Sequence, residues 1–121
     1  MKGLVPVGYI KHHAIVVTGG GYPEADRVLE IAHRQAKHLF GSMVSNIVES
    51  PMNGYKSFFV APDGSKERWD VSNEYDEKRS LFSIYLNGFA FEDGSSPIYY
   101  VEISYDENGK IGLERATNII K

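Results

Sequence analysis

Asn53-Gly54-Tyr55-Lys56-Ser57-Phe58-Phe59-Val60-Ala61-Pro62-Asp63-Gly64-Ser65-Lys66-Glu67-Arg68-Trp69 decides the reading of this chain. Asn-Gly supplies the positive φ angles of a hairpin turn. The apolar run after it reads as a strand over 55–61, stopped by Pro62, which has no N–H for a sheet ladder. Asp63-Gly64-Ser65 turns the chain again, and a segment of mixed charge follows. That segment reads as a solvated connection in which Trp69 anchors the following helix to the core.

Working outward, Tyr9 to Thr18 reads as the first strand, and Ala14-Ile15-Val16-Val17 suits a central position covered on both faces. Pro23 opens a helix, Glu24 and Asp26 sit at its positive end, and Gly41 closes it with a positive φ. Ala25, Val28, Leu29, Ala32, Ala36, Leu39 and Phe40 recur between them at helical spacing. Met43 to Glu49 reads as a short second strand. A second helix is expected from about Ser72 to Asn87. Glu74, Asp76 and Glu77 would fill its first turn, Tyr75, Phe82, Leu86 and Phe89 its apolar face, and Gly88 its C-cap. Ile98 to Tyr105 and Lys110 to Thr117 read as two further strands around an Asn108-Gly109 turn.

The order β-α-β-β-α-β with one added strand implies an α+β domain over 1–121: a ferredoxin-like two-layer sandwich with an extra C-terminal antiparallel strand. The first and third strands would be central and the fifth would lie beside the fourth. Ile10, His12, Ala14 and Val16 are assigned to the helix side, with Phe58, Val60, Val101 and Ile103. The outer face would then carry Tyr9, Lys11, His13, Ile15 and Val17, Tyr55, Ser57 and Phe59, and Tyr100, Glu102 and Ser104. A slip of one residue swaps such lists. An outer face so rich in rings and aliphatics calls for a cover, so Tyr9, Lys11, His13, Tyr55, Phe59 and Tyr100 are the expected contact residues of a binding protein that forms a homo-oligomer.

Composition removes several classes. The chain has no cysteine, which excludes disulfides, thiolate zinc sites and a cysteine nucleophile. Its net charge of −3 argues against sequence-independent binding to duplex DNA, which needs many Lys and Arg. No apolar run reaches the length of a membrane span, and Met1 to Val7 lacks the apolar centre of a signal peptide. The expectation is a cytoplasmic protein without membrane contact.

No motif fixes a chemistry. Gly19-Gly20-Gly21, between a strand and a helix, is a candidate anion or nucleotide site, with Arg68 as a helper and with Lys11 and His13 as further candidates. It lacks the Lys-Ser/Thr of a P-loop and the spaced glycines of a dinucleotide fingerprint. His12 and His13 are adjacent in a strand and point to opposite faces; His33 and His38 are five apart on a helix; neither pair has metal-ligand spacing. His12 reads as a core histidine, and His13, on the suspect outer face with Lys11 and Tyr9, as the functional candidate. No cofactor and no metal are expected. Neither histidine begins a His-x-Thr/Ser tripeptide, so a two-histidine phosphoesterase is excluded. The 54–60 strand resembles the third-strand motif of RNA-recognition domains, but it has an extra residue between its aromatics and the chain is acidic.

His12-His13-Ala14-Ile15-Val16-Val17-Thr18, the Asn53–Glu67 run and Glu92-Asp93-Gly94-Ser95-Ser96-Pro97 together resemble a group of small uncharacterised proteins of bacteriophages and mobile elements. The resemblance spans most of the chain and brings no activity with it. It implies a phage context, hence the host cytoplasm, and a host protein or a signalling nucleotide as partner.

Overall fold

The computed structural model describes residues 9–117. Its elements in chain order are β1 (Lys11–Gly19), α1 (Pro23–Phe40), β2 (Val48–Glu49), β3 (Lys56–Val60), α2 (Asp70–Asn87), β4 (Ile98–Asp106) and β5 (Ile111–Ala116). The strands form one sheet in the order β2-β3-β1-β4-β5, antiparallel at every pairing. Both helices pack on the same side of it, so the architecture is α+β in two layers.

Helix α1 follows its pattern. Ala25, Val28, Leu29, Ala32, Ala36 and Phe40 are buried, and Gly41 ends it with φ of 60°. Three alanines on that stripe let the helix lie close to Ile15, Val17, Phe58 and Val60, the sheet half of the apolar core. Phe40 meets Phe82 of α2 edge to face, with ring centroids 5.8 Å apart, which joins the two helices over the sheet.

Asn53 and Gly54 take positive φ, 61° and 68°, and close the loop 51–54 between Ser50 and Tyr55, where the Ser50 N–H donates to the Tyr55 carbonyl at 2.7 Å. The expected second strand over 43–49 is mostly irregular. The Ser45 hydroxyl accepts the Phe59 N–H at 2.9 Å, and the Ser45 N–H donates to the Phe59 carbonyl at 2.9 Å. That side chain stands in for a ladder bond, so pairing is reduced to a single bridge, Val44 with Val60, and to the two residues Val48–Glu49.

Helix α2 departs from expectation. It starts at Asp70, which leaves Glu74, Asp76 and Glu77 beyond its first turn. Gly88 is its C-cap, as expected, but with a right-handed φ of −67° in place of a left-handed one. Trp69 is the N-cap residue and is 47% exposed; the Lys66 ammonium sits 5.7 Å from its ring centre, a cation–π contact in place of core anchoring. The buried side of α2 carries Ser72, Arg79 and Ser83 beside Phe82 and Leu86. The core therefore has an apolar half beneath α1 and a polar half beneath α2.

Register overturns the expected faces of β1 and β4. Ile15 pairs with Val60 and Glu102, Val17 with Phe58 and Tyr100, and His13 with Ser104. Directly paired residues share a face, and these are the buried ones. The helix side of β1 thus holds His13, Ile15 and Val17, while His12, Ala14 and Val16 look outward. On β4, Tyr100, Glu102 and Ser104 look inward, and Val101 and Ile103 outward. The β3 assignment holds: Phe58 and Val60 inward, Phe59 outward. In β1 both parities are apolar, so alternation carries no signal there. In β4 the more apolar parity is the outer one, because α2 and β5 bring arginines that require a carboxylate inside.

Candidate functional site

Two features stand out: the open face of the sheet and a polar cavity at the start of β1. Cross-strand pairing orders the open face into rows. Val48, Ser57, Thr18 and Tyr99 form one; Phe59, Val16, Val101 and Ala116 the next; Ala14, Ile103 and Leu113 a third; His12, Tyr105 and Ile111 the last. Leu113 is 69% exposed, Val48 65% and Phe59 46%. His12 rests against Tyr105 at 5.1 Å between ring centroids; it is a member of this face and no core histidine. Ser45, Val48, Phe58, Phe59 and Val16 line an apolar notch of ≈ 280 Å³ at the β2–β3 side. No charged group of β1, β3 or β4 points to this side. Apolar rows of this extent left to water are characteristic of interaction surfaces.

Beneath α2 lies the polar half. The Arg79 guanidinium, 3% exposed, donates to Asp63 Oδ1 at 3.1 Å and to Asp76, and its Nε lies 3.7 Å from Glu102 Oε2. Glu102 also receives Arg115 Nη1, and His13 Nδ1 stands 3.3 Å from its Oε2 without an aligned hydrogen bond. Burial pushes the Glu102 carboxyl up, but His13, Arg115 and Arg79 together hold it below the ordinary carboxylate range. Asp63 behaves alike: burial raises it, while the Ser65 hydroxyl and amide and Arg79 bring it below its ordinary value. The Ser83 and Tyr100 hydroxyls bond to each other. A β-bulge makes part of this possible, since the ladder skips Glu114 between Leu113 and Arg115. Both residues then reach the helix side, where Glu114 Oε2 accepts the Ser104 hydroxyl at 2.7 Å and pairs with Lys11 at 3.3 Å.

Above Ser104 and Glu114 opens a cavity of ≈ 330 Å³, lined also by Tyr9, Lys11, Glu67, Asp106 and Lys110. The Tyr9 hydroxyl donates to Asp106, whose carboxylate raises the phenol to about 12. The lining mixes both signs of charge, and each cation there stands near an acid, so the cavity favours neither anions nor cations. Among the described residues no group of three or more His, Asp or Glu is arranged to hold a metal ion.

The six expected contact residues thus separate. Tyr9 and Lys11 line the cavity, His13 and Tyr100 are buried beneath α2, and Tyr55 and Phe59 are exposed, Tyr55 at the β2–β3 turn. The glycine run also loses its helpers. The Glu67 N–H donates to the Tyr9 carbonyl at 2.7 Å, which sets Arg68, Lys11 and His13 at the start of β1. Gly19 is at the far end, roughly 26 Å away for eight residues at 3.3 Å each. The Gly20 N–H is taken by the Pro97 carbonyl at 3.1 Å. A Cβ on Gly21, φ 83°, would stand 2.3 Å from the Asn53 carbonyl oxygen. These glycines serve close backbone packing, and Glu24 and Asp26 already occupy the adjoining first turn of α1.

What sequence reasoning missed was Arg79. It lies at helical spacing with Tyr75, Phe82 and Leu86, a charge in the apolar stripe. Such a residue calls for a buried acid opposite, and would have turned Glu102 inward.

No family model, no curated protein and no solved structure matches the chain. No helix of the described residues is long and apolar enough to cross a membrane.

Proposed function

We propose that this chain is a non-enzymatic binding protein that presents the open face of its sheet to another protein and works as a homo-oligomer. The observation that carries this reading is the set of rows from Val48 to Ile111, apolar or aromatic except at Ser57, Thr18 and His12. They lie on the side of the sheet that no helix of the described residues covers, and they include exposed Phe59, Tyr99, Tyr105 and Leu113. Aromatic and aliphatic groups on a rigid sheet supply contact area with little side-chain entropy to lose. The interior places of β1 and β3, and the flanking places of β2 and β4, support a ferredoxin-like plan extended by β5. The resemblance to small phage proteins supports a host protein as the occupant and interference with host defence as the role.

The test compares the wild type with Phe59→Lys and Ile103→Lys, each purified from the chain's own host and weighed by native mass spectrometry. The reading expects a protein adduct on the wild type that both variants lose while keeping their thermal melting. A wild type without any adduct, or variants that carry it equally, would overturn it.

A further inference from the structure

The two edges of the sheet differ. The β2 edge is blunted: it has two residues, is followed by Pro51, and has the Ser45 hydroxyl beside it on Phe59. The β5 edge carries six residues without proline. The Asp106 N–H donates to the Lys110 carbonyl at 3.1 Å. Hydrogen-bonded and non-hydrogen-bonded pairs alternate in an antiparallel ladder, so Ser104/Gly112 is of the bonded type and Tyr105/Ile111 and Ile103/Leu113 are not. The N–H and C=O groups of Ile111 and Leu113 therefore point away from β4, toward the open edge.

From these groups we infer that the occupant of the β5 edge is a second copy of this chain, paired antiparallel about a two-fold axis at Gly112. In that register Ile111 of each copy faces Leu113 of the other. Among the described residues neither has a strand partner for the backbone groups that point outward, both side chains lie on the open face, and both are exposed, at 79% and 69%. Gly112 faces Gly112 in the narrow non-bonded pair, where the strands approach most closely. Lys110 faces Glu114, charges of opposite sign on the helix side, and the contacts that Glu114 makes within its own chain both use Oε2. A shift by two residues toward the C-terminus would set Ile111 against Arg115, whose side chain the bulge has turned inward, so the charge pattern and the bulge select one register. The result is a continuous ten-stranded sheet with both open faces on the same side, doubling the surface proposed for binding. The inference concerns the edge and stands even if that surface proves idle.

Sedimentation equilibrium on Lys110→Glu, Glu114→Lys and the double swap tests it, with Leu113→Pro as a second probe. The wild type should be a dimer. Each single change places like charges opposite one another twice, by symmetry, and should weaken association about ten-fold. The double swap should recover most of this; residues four apart in one strand are too far from each other to do so within a chain. Leu113→Pro removes an N–H that points to the open edge and should give a folded monomer with unchanged circular dichroism. A monomeric wild type, a double swap no tighter than the singles, or a dimeric Leu113→Pro would each overturn the inference.

Discussion

Replacing Arg79 by Met tests the polar half of the core. Arg79 is 3% exposed and reaches Asp63, whose side chain is 7% exposed, and Glu102, at 2%. Met retains much of the side-chain volume, so the loss is chiefly electrostatic. Removing one member of a buried ion pair costs about 3–5 kcal/mol, because the remaining charge is left without compensation. Here both acids keep other partners: Asp63 retains Ser65, and Glu102 retains Arg115 and His13. Asp76 is 46% exposed and loses little. The expected cost is therefore near the lower end, about 3 kcal/mol at pH 7. Its pH dependence has a definite sign. Both carboxyls are held below their ordinary values of 3.8 and 4.5 in the folded state. Their contribution is fully present above those values and is lost as the pH falls through the lower folded-state values. The gap between wild type and variant should therefore narrow from pH 7 to pH 3. Urea unfolding at both values measures it, with unchanged m-values as the check on two-state behaviour. A cost below about 1 kcal/mol at pH 7, the size of a surface pair, would refute the reasoning, as would a cost that did not change with pH.

Other consequences are as specific. Asp106→Asn should bring the Tyr9 phenol down from about 12 toward 10, read as one additional tyrosine ionising in an ultraviolet titration between those values; an unchanged titration curve would exclude the Tyr9–Asp106 bond. Gly21→Ala, with φ of 83° and a Cβ 2.3 Å from a carbonyl oxygen, should cost more than Gly64→Ala, where φ is 81° and nothing lies within 4 Å. The second change carries the left-handed strain alone, about 1–2 kcal/mol, and the first adds displacement of the 53–55 turn. Equal losses in thermal unfolding would contradict the packing role given to that glycine.

Much of the fold was legible because local signals agreed. The stripe from Ala25 to Phe40 lies between Pro23 and Gly41, and Asn53-Gly54 could only turn one way. The faces of β1 and β4 were not legible, and the reason is physical. Where Ala14 and Val16 alternate with Ile15 and Val17, a parity rule has nothing to separate. In β4 the rule pointed the wrong way, since Glu102 and Ser104 are inside to serve Arg79 and Arg115. The bulge that delivers Glu114 and Arg115 to the same side leaves no mark in the sequence. The described residues do leave one sheet face uncovered, but its members differ from the expected ones. Of its expected residues only Phe59 lies within the strand rows, with Tyr55 beside them at the turn.

The absence of native cysteine permits the most direct test of the central claim. Val101→Cys places a thiol in the middle of the open face, and Ser42→Cys places one on exposed backbone after α1. Alkylation rates of the two are compared in buffer and in extract of the cells that produce the chain. The account predicts that extract slows the reaction at 101 several-fold and leaves that at 42 unchanged; equal rates at 101 in buffer and extract would contradict it.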